Sequence, residues 1–159
     1  LALIYNPAPS AEIDSVVVFE EDLFLIGPAD GAEAPGDVRL EDVAAMPLVI
    51  PTKANSIRML VESELANLGH RPTIAMEIDG VAAILDLVAE GLGLAVLSPG
   101  AVMTAPRPQA FSMRRIVEPP LRSRLALAVS SQRPATLTQQ ATLKLVRDVV
   151  DQTLRAPGA

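Results

Sequence analysis

Between residues 47 and 100 the spacing of apolar positions alternates between a period of two and helical spacing, and it predicts a strand–helix–strand–helix–strand series. Leu48-Val49-Ile50 reads as a buried strand stopped by Pro51. Ile57, Leu60, Val61, Leu65 and Leu68 then repeat as one face of a helix, with Asn55 or Ser56 as its N-cap and Gly69 as its stop. Ile74, Met76 and Ile78 alternate with Ala75, Glu77 and Asp79, the pattern of a half-buried strand. Ile84, Leu85, Leu87 and Val88 crowd one side of a helix entered at Asp79-Gly80 and closed by Gly91. The continuous apolar run 92–97 fits a strand buried on both faces. Two βα units in series make parallel strands, so the turns at Asp79-Gly80 and at Ser98-Pro99-Gly100 should share the carboxyl end of one sheet. Ligands of open α/β sheets bind at that end, and a helix start there offers unpaired N–H groups to an anion.

The flanks read as β-rich. Residues 1–5 are expected as a buried strand, followed by an exposed loop at Asn6-Pro7-Ala8-Pro9-Ser10, where two prolines forbid helix. Residues 13–19 and 22–26 are two further strands, with Glu20-Glu21-Asp22 between them read as a solvated turn rather than a metal site. Residues 29–37, rich in Gly, Ala and Pro, read as a disordered surface loop, and 40–46 as a short helix broken by Pro47. After Gly100 the pattern lapses through Ala105-Pro106-Arg107-Pro108, then predicts strands at 111–117 and 125–130. Pro119-Pro120 between them reads as a rigid crossing between lobes. Pro134 leads into the capping-box spacing Thr136-Leu137-Thr138-Gln139, and Leu143, Val146, Val150 and Leu154 mark a closing helix to about Arg155, with 156–159 as a frayed tail. Strands and a helix on either side of a βαβαβ core predict two lobes, two crossings and a cleft.

Charge narrows the function. The net charge of −6, with 13 basic residues against 19 acidic ones, leaves no basic face for DNA phosphates on this stretch. There is no cysteine, which excludes disulfides and thiolate metal sites and agrees with a reducing compartment. No apolar run reaches the roughly 18 residues of a membrane span. The start, Leu1-Ala2-Leu3-Ile4-Tyr5, carries neither a basic leader nor an initiator Met and reads as a strand entering from upstream sequence.

Catalytic groups are scarce. His70, the single histidine, lies in the loop Gly69-His70-Arg71-Pro72 and reads as a surface residue. Gly91-Leu92-Gly93 resembles part of a dinucleotide fingerprint, but it follows a helix and precedes a strand, the reverse of what a pyrophosphate requires. No nucleophile elbow exists, and Ser98 has no histidine base. An enzyme is disfavoured. The remaining set is Thr52, Asn55 and Ser56 before one helix, Asp79 before the next and Ser98 after the following strand: each is a helix cap or a ligand contact, and together they form the candidate pocket. Arg58 stands in a first helical turn, where the helix dipole disfavours a cation, so it answers either a ligand anion or Glu62 at i+4.

The order of elements, and above all Leu87-Val88-Ala89-Glu90-Gly91-Leu92-Gly93-Leu94-Ala95-Val96-Leu97-Ser98-Pro99, resembles the effector-binding domain of LysR-type transcriptional regulators across the whole chain. The segments Glu21-Asp22-Leu23-Phe24-Leu25-Ile26-Gly27-Pro28 and Leu40-Glu41-Asp42-Val43-Ala44-Ala45-Met46-Pro47 and the strand at 124–129 belong to the same resemblance. Ser98 interrupts the family's Leu-Pro step, and the Asn6–Ser10 loop is similar to the branch of nitrogen-assimilation regulators. The resemblance implies an α/β fold of the type II periplasmic-binding-protein kind, with two Rossmann-like lobes: 1–46 plus 121–159, and 47–120. It implies an effector, often a small organic anion, in the cleft, with Thr52, Ser56, Asp79 and Ser98 lining it and Tyr5 facing them from the first lobe. It further implies a cytoplasmic homodimer or homotetramer without metal or cofactor, which reaches DNA only through an N-terminal winged helix-turn-helix absent from this stretch. The family's first strands and helices of lobe one are missing too, so that lobe should be underpacked and lean on a partner chain. The rival reading from the same fold is a transport solute-binding protein, which would carry an export signal; an enzyme on the fold is a second rival.

Overall fold

The computed structural model describes residues 1–29, 36–132 and 136–154. Its elements are β1 (Ala2–Tyr5), β2 (Ile13–Asp22), β3 (Phe24–Pro28), β4 (Val38–Arg39), α1 (Leu40–Val43), β5 (Pro47–Ile50), α2 (Ser56–Asn67), β6 (Thr73–Glu77), α3 (Val81–Ala89), β7 (Ala95–Leu97), α4 (Pro99–Met103), a 3-10 turn (Pro108–Ala110), β8 (Phe111–Val117), β9 (Arg122–Ser130) and α5 (Leu137–Leu154). The chain divides into two compact units, Glu21–Ser123 and Leu1–Glu20 with Arg124–Ala159. The readings made above for residues 30–35, for Pro134 and for 155–159 lie outside the described residues.

In the unit Glu21–Ser123, β5 and β6 pair in parallel, and a backbone bridge joins β5 to the residue ahead of β7, with Val49 N donating to Leu94 O and Leu94 N to Pro47 O, both at 2.8 Å. From β7 the sheet continues antiparallel through β3 to β8, and β4 closes it in parallel with β8. Neighbouring residues of the central strands enter opposite cores. Leu25, Leu48, Ile50 and Val96 pack with Leu40 and Val43 of α1 and Val61 and Leu65 of α2. Ile26, Val49, Ala95 and Leu97 pack with Ile84, Leu85 and Val88 of α3 and Val102 of α4. Burial on both faces is the physical reason these strands are apolar at every position.

Local departures from the sequence reading have local causes. The run expected as a strand over 92–97 is strand only at 95–97, because Gly91 turns at φ +73° and leaves Leu92 more than half exposed. A bulge opposite Leu48 and Val49 pairs them with Ile74 and Met76 and skips Ala75. The alternation therefore breaks, and Met76 is 39% exposed rather than buried. The helix expected over 40–46 is α-helical only to Val43. Glu20-Glu21-Asp22 is not a turn but the end of β2: Asp22 takes Arg115 and Arg122 at 2.7 and 2.8 Å, and Glu20 takes Arg124 at 2.9 Å. The contacts divide the chain at 20/21 and 123/124, and β3 is hydrogen-bonded between β7 and β8 in one sheet.

The second unit is a three-stranded sheet in the order β1-β9-β2, with α5 on it. Val146 and Val150 of α5, with Leu143, pack on Val18, Leu125 and Leu127, and Thr136 caps the helix by accepting from Gln139 N at 3.2 Å. The expected first strand forms, pairing with β9, but it is not buried: Leu1, Leu3 and Tyr5 are each at least half exposed, as is Val16 of β2. The reason is its place at the sheet edge, with β9 on one side only.

Candidate functional site

The parallel pairing of β5 and β6 carries both chains out of the sheet at the same end, and Ile78 N still reaches Ile50 O at 3.1 Å as they leave. Beyond that point Thr52 meets Asp79. Thr52 N donates to Asp79 Oδ1 at 3.0 Å, and the Thr52 hydroxyl lies 2.8 Å from Oδ2 and 3.0 Å from Oδ1. A carboxylate seated on a backbone N–H and a hydroxyl is stabilised in its charged form: the Thr52 N–H first, and its hydroxyl second, hold the Asp79 carboxyl below the usual carboxylate range.

Next to this pair the start of α2 is tied down twice. Asn55 Oδ1 accepts from Ile57 N at 2.9 Å and from Arg58 N at 3.4 Å, so Asn55 and not Ser56 is the cap. Arg58, only 2% exposed, donates to Glu62 at 2.8 Å, to Glu77 at 3.0 Å and to the Pro51 carbonyl at 2.9 Å. The hydrogen bond to Glu62, followed by that to Glu77, outweighs burial and raises the guanidinium pKa further. Of the two readings of Arg58, the structure shows pairing within the chain.

Of the five residues assigned to a ligand, Thr52 and Asp79 are in direct contact. Ser56 is the first residue of α2, and Ser98 occupies the cap position of α4 without making a side-chain cap bond. Both lie at the same end of the sheet, Ser98 because β7 continues from the parallel bridge at Leu94. Tyr5 ends β1 in the other unit, opposite Leu125, and is 54% exposed. Asp79 does not cap α3, whose start is Gly80 with no side-chain bond. Sequence reasoning missed Lys53, an exposed cation next to Thr52 that forms no ion pair with a described residue. Among the described residues no group of three or more His, Asp and Glu side chains could hold a metal, and no helix is long and apolar enough to cross a membrane.

The family model for the LysR substrate binding domain matches residues 1–151. The chain belongs to the LysR substrate-binding domain family. The nitrogen assimilation regulatory protein Nac of Escherichia coli K12 is 28% identical over 151 residues, which cover 94% of this chain and 48% of the relative. Among solved structures, the CcmR regulatory domain of Synechocystis PCC6803 in complex with 2-PG superposes at a TM-score of 0.78 with 16% identity, covering 95% of this chain and 73% of that one. The effector-binding domain of QuiR in complex with shikimate superposes at 0.72 with 14% identity, covering 95% and 72%. These likenesses show that this LysR domain has the type II periplasmic-binding-protein-like fold, and its matched relatives are transcriptional regulators rather than enzymes. The chain spans about half the length of the curated relatives it matches.

The Asp79 seat has a pH signature. A carboxylate whose pKa is depressed in the folded state contributes stability above its ordinary value, about 3.9, and loses it as pH falls from there through the folded value. Asp79→Asn removes that contribution. Urea unfolding at pH 7 should therefore separate the variant from the wild type, and the gap should close toward pH 3; a gap of constant size would mean that Asp79 is not the titrating partner.

Proposed function

We propose that this domain senses a small molecule for a bacterial LysR-type transcriptional regulator, and that Thr52, Ser56, Asp79 and Ser98 line the ligand site, with Tyr5 assigned to it by the family resemblance. The observation that carries the reading is the Asp79 carboxylate on Thr52: the chain itself supplies an example of the chemical group this strand end holds. The effector in this reading is a small organic anion that exchanges with Asp79 at the Thr52 N–H and hydroxyl, assisted by the exposed Lys53 charge. The liganded shikimate complex among the structural neighbours supports an organic-acid class for domains of this fold. In the full protein, ligand binding favours one of two states of the domain, and because the ligand has different affinity for the two states it biases DNA binding by a helix-turn-helix elsewhere in the regulator. The assembly is a cytoplasmic homodimer or homotetramer, and the exposed apolar side chains of β1 and β2 support their burial against further polypeptide.

Calorimetric titration tests the contacts. Thr52→Ala and Ser56→Ala should weaken binding of an acidic effector at least several-fold with little change in stability, whereas Asp79→Asn should tighten it by removing a competing charge. Unchanged affinity in all three variants would overturn the site.

A further inference from the structure

The turn between β6 and α3 carries a reactive peptide bond. Asp79 is followed directly by Gly80, and both are exposed, outside either element. Gly80 sits at φ +96°, and a Cβ built on it would meet no atom within 4 Å, so the space around this peptide is open. Its N–H forms no hydrogen bond with a described residue. With no side chain on Gly80 to obstruct the approach, the Asp79 carboxyl and the Gly80 nitrogen are free to meet.

Their reaction is a balanced condensation. Once the Asp79 carboxyl has taken a proton from solvent, the Gly80 nitrogen attacks Cγ: a C–N bond forms, a C–O bond breaks, and the N–H hydrogen leaves with the hydroxyl as water. The product is a cyclic succinimide. Water then adds back at one of the two ring carbonyls. Opening at Cγ restores aspartate, and opening at the main-chain carbonyl carbon leaves the chain running through Cγ, as isoaspartate.

Thr52 opposes the first step. Its N–H at 3.0 Å and its hydroxyl at 2.8 Å hold the carboxylate, and Cγ cannot swing toward Gly80 without giving up both bonds. The same bonds favour the charged carboxylate, whereas ring closure needs the protonated one.

We propose that Asp79-Gly80 is a site of spontaneous isoaspartate formation, and that the seat of Asp79 on Thr52 sets its rate. Conversion inserts one carbon into the main chain between the end of β6 and the start of α3 and shortens the carboxylate arm by one, so the converted residue no longer fits the Thr52 seat. No ligand takes part, and the site exists whether or not an acid binds at Thr52.

The test is incubation of the whole chain in heavy-oxygen water at physiological temperature for several weeks, followed by peptide mapping with electron-transfer fragmentation, which tells isoaspartate from aspartate. Asp30-Gly31, the other Asp-Gly step in the sequence, serves as the internal reference. The expected result is isoaspartate at residue 79 with uptake of one heavy oxygen atom, at a rate about threefold to tenfold higher in Thr52→Ala, while the rate at residue 30 stays unchanged. Thr52→Ser, which keeps both bonds, should retain the wild-type rate at residue 79. Asp79→Asn, whose leaving group is ammonia, should convert to aspartate and isoaspartate faster than the wild type isomerises, and it keeps the test valid if Thr52→Ala fails to fold. Three results would overturn the proposal: no isoaspartate at residue 79 of Thr52→Ala when the chain unfolded in guanidinium chloride has formed it, an equal rate at residue 79 in Thr52→Ala and the wild type, or a rise in Thr52→Ala shared by residues 79 and 30.

Discussion

Arg58→Ala should lower the unfolding free energy by about 3 kcal/mol, measured by urea denaturation, the range expected when a buried charge network loses its central member. The side chain is nearly inaccessible and sits in the first turn of α2, where the helix dipole opposes a cation. It is retained there because three groups converge on it: Glu62 one turn along, Glu77 at the end of β6 and the Pro51 carbonyl after β5. Glu62 and Glu77 are 40% and 44% exposed, so they return to water when the arginine is lost. The carbonyl and the vacated volume do not recover as easily, and they carry most of the cost. Arg58→Lys should recover only part of the loss, since an ammonium cannot present a planar fork to three partners. Glu62→Gln or Glu77→Gln alone should cost about 1 kcal/mol or less, because each sits at the exposed end of the network. The same network anchors the segments that carry Thr52 and Asp79, so Arg58→Ala should also weaken ligand binding without touching the ligand.

Gly93→Val should be at least as damaging, about 3 kcal/mol, for a reason that has nothing to do with backbone freedom. A Cβ built on Gly93 would lie 2.9 Å from the Pro47 carbonyl oxygen and 3.0 Å from Val49 Cγ2. The oxygen belongs to β5 and accepts the Leu94 N–H that joins β5 to the β7 side of the sheet. Relief therefore requires moving a central strand, and overpacking of this kind costs about 1–3 kcal/mol even for small additions. Gly93→Ala should cost about 2 kcal/mol. Gly91→Ala, at a position with open space and φ +73°, should cost about 1 kcal/mol from the strained conformation alone. Thermal unfolding of the three variants should rank them in that order; a silent Gly93→Val would show that the strand contact is looser than described.

Glycine 93 illustrates what the sequence reveals and what it conceals. The continuous apolar run around 94–97 signals a strand buried on both faces, and the two cores confirm the reason, because alternate residues enter opposite layers. That Gly93 must be small follows only from β5 lying across it. The parallel order of β5 and β6 with their helices was legible, since hydrophobic spacing and the stops at Gly69 and Gly91 are local signals. The insertion of β3 antiparallel between β7 and β8 was not, because nothing in the spacing of residues 24–28 marks which strands they pair with. The bulge at Ala75 likewise has no local mark, yet Met76 is exposed and Glu77 reaches Arg58 beyond it. At the candidate site, strand ends and helix starts picked out Thr52, Ser56, Asp79 and Ser98. The direct bond between Thr52 and Asp79 joins positions 27 residues apart and is a product of the tertiary pairing alone.

The central claim is that small acids bind at the Thr52 and Asp79 strand end, and thermal unfolding of this chain against a panel of small aliphatic carboxylates and hydroxy acids without an amino group, with Thr52→Ala run in parallel, tests it most directly. A ligand at a hundred times its dissociation constant adds about 2.7 kcal/mol. For a chain of this size that raises the midpoint by roughly 5–10 °C. The account predicts at least one acid that produces such a rise in the wild type and loses most of it in Thr52→Ala. A panel without effect, or a rise equally large in the variant, would contradict it.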